Sequence, residues 1–221
     1  MKKILSFLTI CVVALSISFS ADAKVKFGVK GGLNLTSMSG NLGQDLKGIL
    51  STYTGFHAGA ALNVGLPLGF ALQPEILYTQ NGVRMNFSSL LPDLKATLSV
   101  ASIQVPIGIQ WGINLGSIRP FVQAVPYFSF PVSYIMKASG GGIQETEKLD
   151  SEDFKSFDYG FGLGLGVDLW KLQVSAKYNW SLGTIVKGSN EPFFGDDWEN
   201  VNFDPRNGKL SGFELSVALF F

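Results

Sequence analysis

Phe157-Asp158-Tyr159-Gly160-Phe161-Gly162-Leu163-Gly164-Leu165-Gly166-Val167-Asp168-Leu169 is the stretch that decides the fold class. Every odd position is apolar, and every even one is glycine or aspartate. Successive side chains of a strand point to opposite faces, so this period of two makes one greasy face and one small or charged face. A helix would scatter the same residues around its cylinder. The glycines at 160, 162, 164 and 166 are not a phosphate loop, because no strand-to-helix turn accompanies their spacing. They leave room for long side chains from neighbouring strands or for a small cavity.

The same rhythm extends outward in both directions. Downstream, Leu172, Val174, Ala176, Tyr178, Trp180 and Leu182 oppose Gln173, Ser175, Lys177, Asn179 and Ser181. The chain ends with Phe213, Leu215, Val217, Leu219 and Phe221 against Glu214, Ser216 and Ala218. Upstream, 25–33 sets Val25, Phe27 and Val29 against Lys26, Gly28 and Lys30, and 55–65 sets Phe56, Ala58 and Leu62 against His57, Gly59 and Asn63. In 70–80, Leu72, Ile76 and Tyr78 oppose Gln73 and Glu75; in 98–113, Ile103, Ile107, Ile109 and Trp111 oppose Gln104, Gly108 and Gln110. The segment 118–130, with Arg119, alternates least clearly. These segments make eight strands in all.

The connections alternate in length. Long ones span 34–54, 81–97, 131–154 and 183–209, and short ones span 66–69, 114–117 and 170–171. An up-and-down barrel in an outer membrane has this pattern of long extracellular loops and short periplasmic turns. The expectation is an all-β, eight-stranded antiparallel transmembrane barrel over 24–221. Aromatic residues fall where girdles belong: Phe56, Tyr78, Tyr159 and Trp180 toward the outer ends, and Phe70, Trp111, Trp170 and Phe221 toward the periplasmic ends. The eight steps from Phe70 to Tyr78 rise ~20 Å at ~3.3 Å each and ~40° tilt, close to the height of the apolar band.

Composition agrees. Charged residues are 15% of the chain, well below the quarter usual in soluble domains. No mature segment reads as a membrane helix; 96–118 is uncharged but is broken by Gln104, Pro106 and Gln110. At the start, Lys2 and Lys3, the apolar run 4–19, and Ala21-Asp22-Ala23 form an export signal, with cleavage expected after Ala23. Cys11 is lost with 1–23, so no disulfide or thiol chemistry is expected. Removing Lys2, Lys3 and Asp22 from 17 basic and 17 acidic residues leaves 15 and 16, a net of −1 that gives nucleic acid no basic surface.

Several stretches resemble the outer-membrane β-barrel domain family that includes PorT-like and small porin-family proteins. Phe27-Gly28-Val29-Lys30-Gly31-Gly32-Leu33-Asn34 resembles its opening strand, and Leu72-Gln73-Pro74-Glu75-Ile76-Leu77-Tyr78 with Gly82 resembles its next hairpin. Ile103-Gln104-Val105-Pro106-Ile107, Arg119-Pro120-Phe121-Val122 and the terminal Phe221 resemble later elements. The resemblance implies residence in the outer membrane of a Gram-negative cell, contact with its lipid, and recognition of the last strand by the barrel-assembly machinery. It implies no shared chemistry.

The inward faces carry Lys26, Lys30, His57, Arg119 and Lys177 against Glu75, Asp158, Asp168 and Glu214. Eight strands enclose little more than side chains, so a paired plug is expected, with a narrow pore as the alternative. His57 is the sole histidine, and the sequence assigns it no serine partner, so it reads as structural rather than as the base of a lipid-modifying enzyme. One histidine and no mature cysteine argue against zinc, and no cofactor is expected. Acidic residues at 145–153 and 196–204, with Phe193, Phe194 and Trp198, mark loop surfaces open to water, a cation, or a protein or small-molecule partner. Pro74, Pro106, Pro120 and Pro126 fall inside strands and are expected to sit at bulges or be bridged by lumen water.

Overall fold

A computed structural model describes residues 24–39, 50–86, 95–140, 143–149, 157–183 and 209–221. The export signal at 1–23, the acidic residues at 150–153 and 196–204, and the loop aromatics Phe193, Phe194 and Trp198 lie outside them. The strands are β1 (Val25–Ser39), β2 (Leu50–Ser51), β3 (Tyr53–Gly65), β4 (Phe70–Asn86), β5 (Lys95–Gly112), β6 (Ile118–Gly140), β7 (Ile143–Leu149), β8 (Asp158–Leu169), β9 (Leu172–Ser181) and β10 (Lys209–Phe220). Eight of them close a ring in the order β1-β3-β4-β5-β6-β8-β9-β10, and β10 returns to β1; every pairing is antiparallel. Closure matters because lipid offers no hydrogen bonds to an open edge. The two remaining strands are patches of wall: β2 pairs with the outer end of β4, and β7 with the outer end of β6.

The outer face is the apolar one. Leu165 is 65% exposed there, as are Phe27, Ile76, Ile109, Leu163 and Leu215 to a lesser degree. The inner face holds Lys30, His57, Gln73, Glu75, Gln110, Lys177 and Glu214, all buried. This inversion of a soluble protein is what a lipid-facing barrel requires. Tyr178 meets Trp180 and Phe213 edge-on at centroid distances of 4.7 and 4.9 Å, and Phe56 lies 6.0 Å from Tyr78, forming part of the outer girdle.

The structure corrects or explains the sequence reading at three points. First, the strands outrun the alternating segments at their outer ends: β1 continues to Ser39, β4 to Asn86, β5 begins at Lys95 and β6 runs to Gly140. Beyond the bilayer the outer face no longer meets lipid, so the hydropathy rhythm fades while the pairing continues. Second, the weak alternation of β6 arises because Phe121, Val125 and Tyr127 point inward and are buried.

Third, bulges do not mark Pro74, Pro106 or Pro126. Instead the ladder skips beside each proline on one side and continues on the other. The β3–β4 pairing lapses between Ala61↔Glu75 and Val64↔Leu72, next to Pro74. The β4–β5 pairing lapses between Pro74↔Ile107 and Leu77↔Gln104, next to Pro106. The β5–β6 pairing lapses between Pro106↔Tyr127 and Ile109↔Ala124, next to Pro126, although β6–β8 is unbroken there. A strand residue donates its N–H to one neighbour only, so a missing donor opens one side. Pro120 sits near the start of β6, where its carbonyl accepts from Ile113 N at 3.1 Å. The register shift of β6 against β5 lies elsewhere, between Ala101 and Ser102, where Val132 is left over.

Candidate functional site: the lumen

Register brings the inward residues together. Gly32 of β1 lies between His57 of β3 and Ser216 of β10. A Cβ on Gly32 would stand 2.6 Å from His57 Cε1, so the glycine is what lets the imidazole cross to β10. His57 Nδ1 is 2.8 Å from Asn34 Oδ1, and Ser216 Oγ is 3.0 Å from His57 Nε2. Asn34 donates its amide hydrogens to Asn81 Oδ1 at 2.9 Å and Phe56 O at 3.3 Å, so its oxygen faces the ring. The ring carries a proton on Nδ1 for Asn34 Oδ1, and the single hydroxyl hydrogen of Ser216 serves either His57 Nε2 or Glu214 Oε1, each 3.0 Å from its Oγ.

Below this lies a charged knot. Lys30 Nζ holds both Glu75 oxygens, at 3.0 and 2.9 Å, and stands 3.6 Å from Glu214 Oε1. Lys177 Nζ is 3.1 Å from the same Glu214 oxygen, its cross-strand partner. Glu214 Oε2 accepts from Asn179 at 3.2 Å. Two lysines and two glutamates balance, which is the condition for burying them at all.

The knot continues toward the periplasm as amides. Gln73 donates to Glu75 at 2.7 Å and to Gln173 at 2.9 Å, while Gln73 Oε1 accepts from Asn63 at 2.8 Å and Gln110 at 2.9 Å. Gln173 reaches Asp168 at 2.8 Å. Arg119 closes the chain, 2.9 Å from Asp168 and 2.9 Å from the Gly69 carbonyl on a periplasmic turn. The tier thus spans from Asn34 to the rim in hydrogen-bond and ion-pair steps.

Of the nine inward residues singled out in the sequence, Lys30, His57, Glu75, Lys177 and Glu214 meet in one cluster, and Arg119 pairs with Asp168. Asp158 stands apart, with Ser181 Oγ 3.0 Å from each carboxylate oxygen. Lys26 does not join: near the end of β1 it is exposed at the periplasmic rim. The amides Gln73, Gln110 and Gln173, and Ser216 as the partner of His57, were visible only as inward positions. The β8 glycines take long neighbours rather than leaving a void. Cβ atoms at Gly160, Gly164 and Gly166 would meet Tyr127, Lys177 and Phe121 at 2.3, 2.5 and 2.5 Å.

Outward of Glu214 the lumen holds a cavity of ≈ 70 Å³. Asn34, Asn179 and Glu214 lie along it together with Tyr127, Tyr134 and Asp158.

The model of the outer membrane protein beta-barrel domain matches residues 18–187. The chain belongs to this family. It is an outer-membrane β-barrel protein, and its location is the cell outer membrane. A search of curated proteins gives no match. Among solved structures, this outer-membrane barrel is similar to Neisserial surface protein A, at 13% identity and a TM-score of 0.45, over 90% of this chain and 99% of that one. It is also similar to Ail, the attachment invasion locus protein of Yersinia pestis, crystallised with the heparin analogue sucrose octasulfate. There the identity is 12% and the TM-score 0.43, over 90% of this chain and 99% of that one.

Proposed function

We propose that this barrel is a structural or interaction protein with a closed lumen, whose working surface is its extracellular side. The observation that carries this reading is the uninterrupted polar tier from His57 and Glu214 through Gln73 to Arg119. An ion crossing the barrel must break several of those contacts at once, and each buried charge then loses its partner. In planar bilayers the purified protein is expected to give no steady ohmic steps; stable steps would favour the narrow-pore reading instead.

The same reading makes the protein non-catalytic. Ser216, His57 and Asn34 have the residue types and spacings of a hydrolytic relay, but His57 is 1% exposed and Ser216 4%. A nucleophile must reach a reacting carbonyl, and this hydroxyl faces only the knot. A His57→Ala strain is expected to keep an unaltered outer-membrane lipid profile. The reading includes removal of 1–23 on export, which an intact mass beginning at Lys24 would establish, and recognition of the last strand, ending in Phe221, by the assembly machinery.

A further inference from the structure

We propose that the periplasmic end of the β10–β1 seam binds anionic phospholipid of the inner leaflet, with Leu68 and Trp170 sunk among the headgroups and Lys24, Lys26 and Lys171 holding the phosphates. This goes beyond the closed-lumen reading and stands whether or not the lumen conducts.

The first support is strain at exposed places. Leu68 is 88% exposed and Trp170 78%, the two most exposed large apolar side chains among the described residues. They are also the only non-glycine residues there with a positive φ, 61° and 59°. A Cβ is disfavoured in that region, so glycine would suit both turns better. The third short turn shows the contrast, because its left-handed position, φ 72°, is Gly116. At such exposure the chain's own packing does not hold Leu68 or Trp170 in place. What favours them over glycine lies outside the chain.

The second support is depth. Leu68 lies two residues past Phe70 of the periplasmic girdle, and Trp170 one past Leu169 on the outer face. At ~3.3 Å per residue and ~40° tilt they stand only ~5 and ~3 Å beyond, inside a headgroup layer roughly 5–7 Å thick. Lipid, rather than a water-borne partner, is therefore their neighbour. The third support is charge. The turn 66–69 joins β3 to β4 and 170–171 joins β8 to β9, so the two flank the seam. Lys24 O accepts from Gly65 N at 3.0 Å beside the first turn, and Lys171 O accepts from Phe220 N at 2.8 Å beside the second. Lys171 Nζ also lies 5.2 Å from the centre of the Trp170 ring. Lys24, Lys26 and Lys171 are all exposed. Among the described residues the carboxylate side chain at this end is Asp168, which Arg119 holds at 2.9 Å. The terminal carboxylate of Phe221 is left to face the three lysines, so the seam is cationic. Tryptophan beside lysine suits the boundary between acyl chains and anionic headgroups.

The test has two arms. In the first, spin labels are attached one at a time to Leu68→Cys, Trp170→Cys, Leu163→Cys and Lys137→Cys, each combined with Cys11→Ser. The barrels are folded into vesicles of phosphatidylethanolamine and phosphatidylglycerol. Labels at 68 and 170 are expected to collide more with oxygen than with a water-soluble nickel chelate. Their depth is expected between that of the label at 163 on the lipid face and that at 137 beyond the outer girdle. Labels as open to the chelate as the one at 137 would overturn the proposal and leave these turns to a periplasmic partner. In the second arm, the unlabelled barrel meets equal phosphatidylglycerol and phosphatidylcholine, and retained lipid is read by native mass spectrometry. Phosphatidylglycerol is expected to be favoured by roughly fivefold or more, the weight of one lysine near an anionic surface. The preference should weaken in Lys171→Gln and vanish when Lys24→Gln and Lys26→Gln are added. Equal retention by the wild-type barrel, or a preference untouched by these variants, would overturn the proposal as well.

Discussion

Glu214 is the residue on which the lumen turns. One of its oxygens serves Lys30, Lys177 and Ser216, and the other serves Asn179. Glu214→Ala strands Lys177 in a site where it is buried, and removing one partner of a buried pair costs roughly 3–5 kcal/mol. Urea titration of the barrel in lipid vesicles, followed by tryptophan fluorescence, is expected to show that loss. Glu214→Gln, which keeps an acceptor and the packing, is expected to fall between the variant and the wild type. Parity alone identified Lys30, Glu75, Lys177 and Glu214 as inward residues. It misplaced Lys26, because inwardness by alternation means enclosure only where the ring is complete around the residue. It also missed Ser216 as the partner of His57, since that contact depends on how the last strand registers against the first across Gly32.

At the scale of elements, the strands were legible wherever one face met lipid and the other the lumen. They were not legible above the bilayer, where 36–39 and 95–97 pair in sheet without a greasy side to betray them. The prolines were recognised as a difficulty, but their accommodation was not, because a sequence does not say which neighbour a given N–H faces. Pro74, Pro106 and Pro126 leave a staircase of three lapses across β3–β4, β4–β5 and β5–β6. Backbone groups beside these lapses lack ladder partners, so local opening there costs less. Hydrogen-exchange mass spectrometry is expected to show faster exchange at Glu75 and Ile107, which stand opposite Pro106 and Pro126, than at Val122 and Leu165, whose ladders are unbroken. Equal protection at both places would mean that the lapses are mended by other donors.

On the scale of the whole molecule, the eight-strand count and the long-short rhythm of connections were readable because a bilayer imposes both. The tiered lumen was readable only as a list of inward polar residues; its order from charged knot to amide layer to Arg119 is a property of closure. Closure rests on β10, which pairs with β1 from Gly28↔Phe220 up to Ser39↔Lys209. Phe221 N also reaches Phe27 O at 2.7 Å. A chain truncated after 208 is expected to remain in inclusion bodies and to fail to give a folded, protease-resistant barrel in vesicles, because two strands are then left with open edges in lipid.

The meeting of first and last strands has one more effect. Seen from the periplasm, the polypeptide is a circle whose seam happens to fall between Lys24 and Phe221. A few glycines joining those ends, with new ends cut inside 184–208, would keep every strand beside its native neighbours. Such a rearranged chain should refold into the same barrel in lipid vesicles, where no machinery has to read the strand that ends in Phe221.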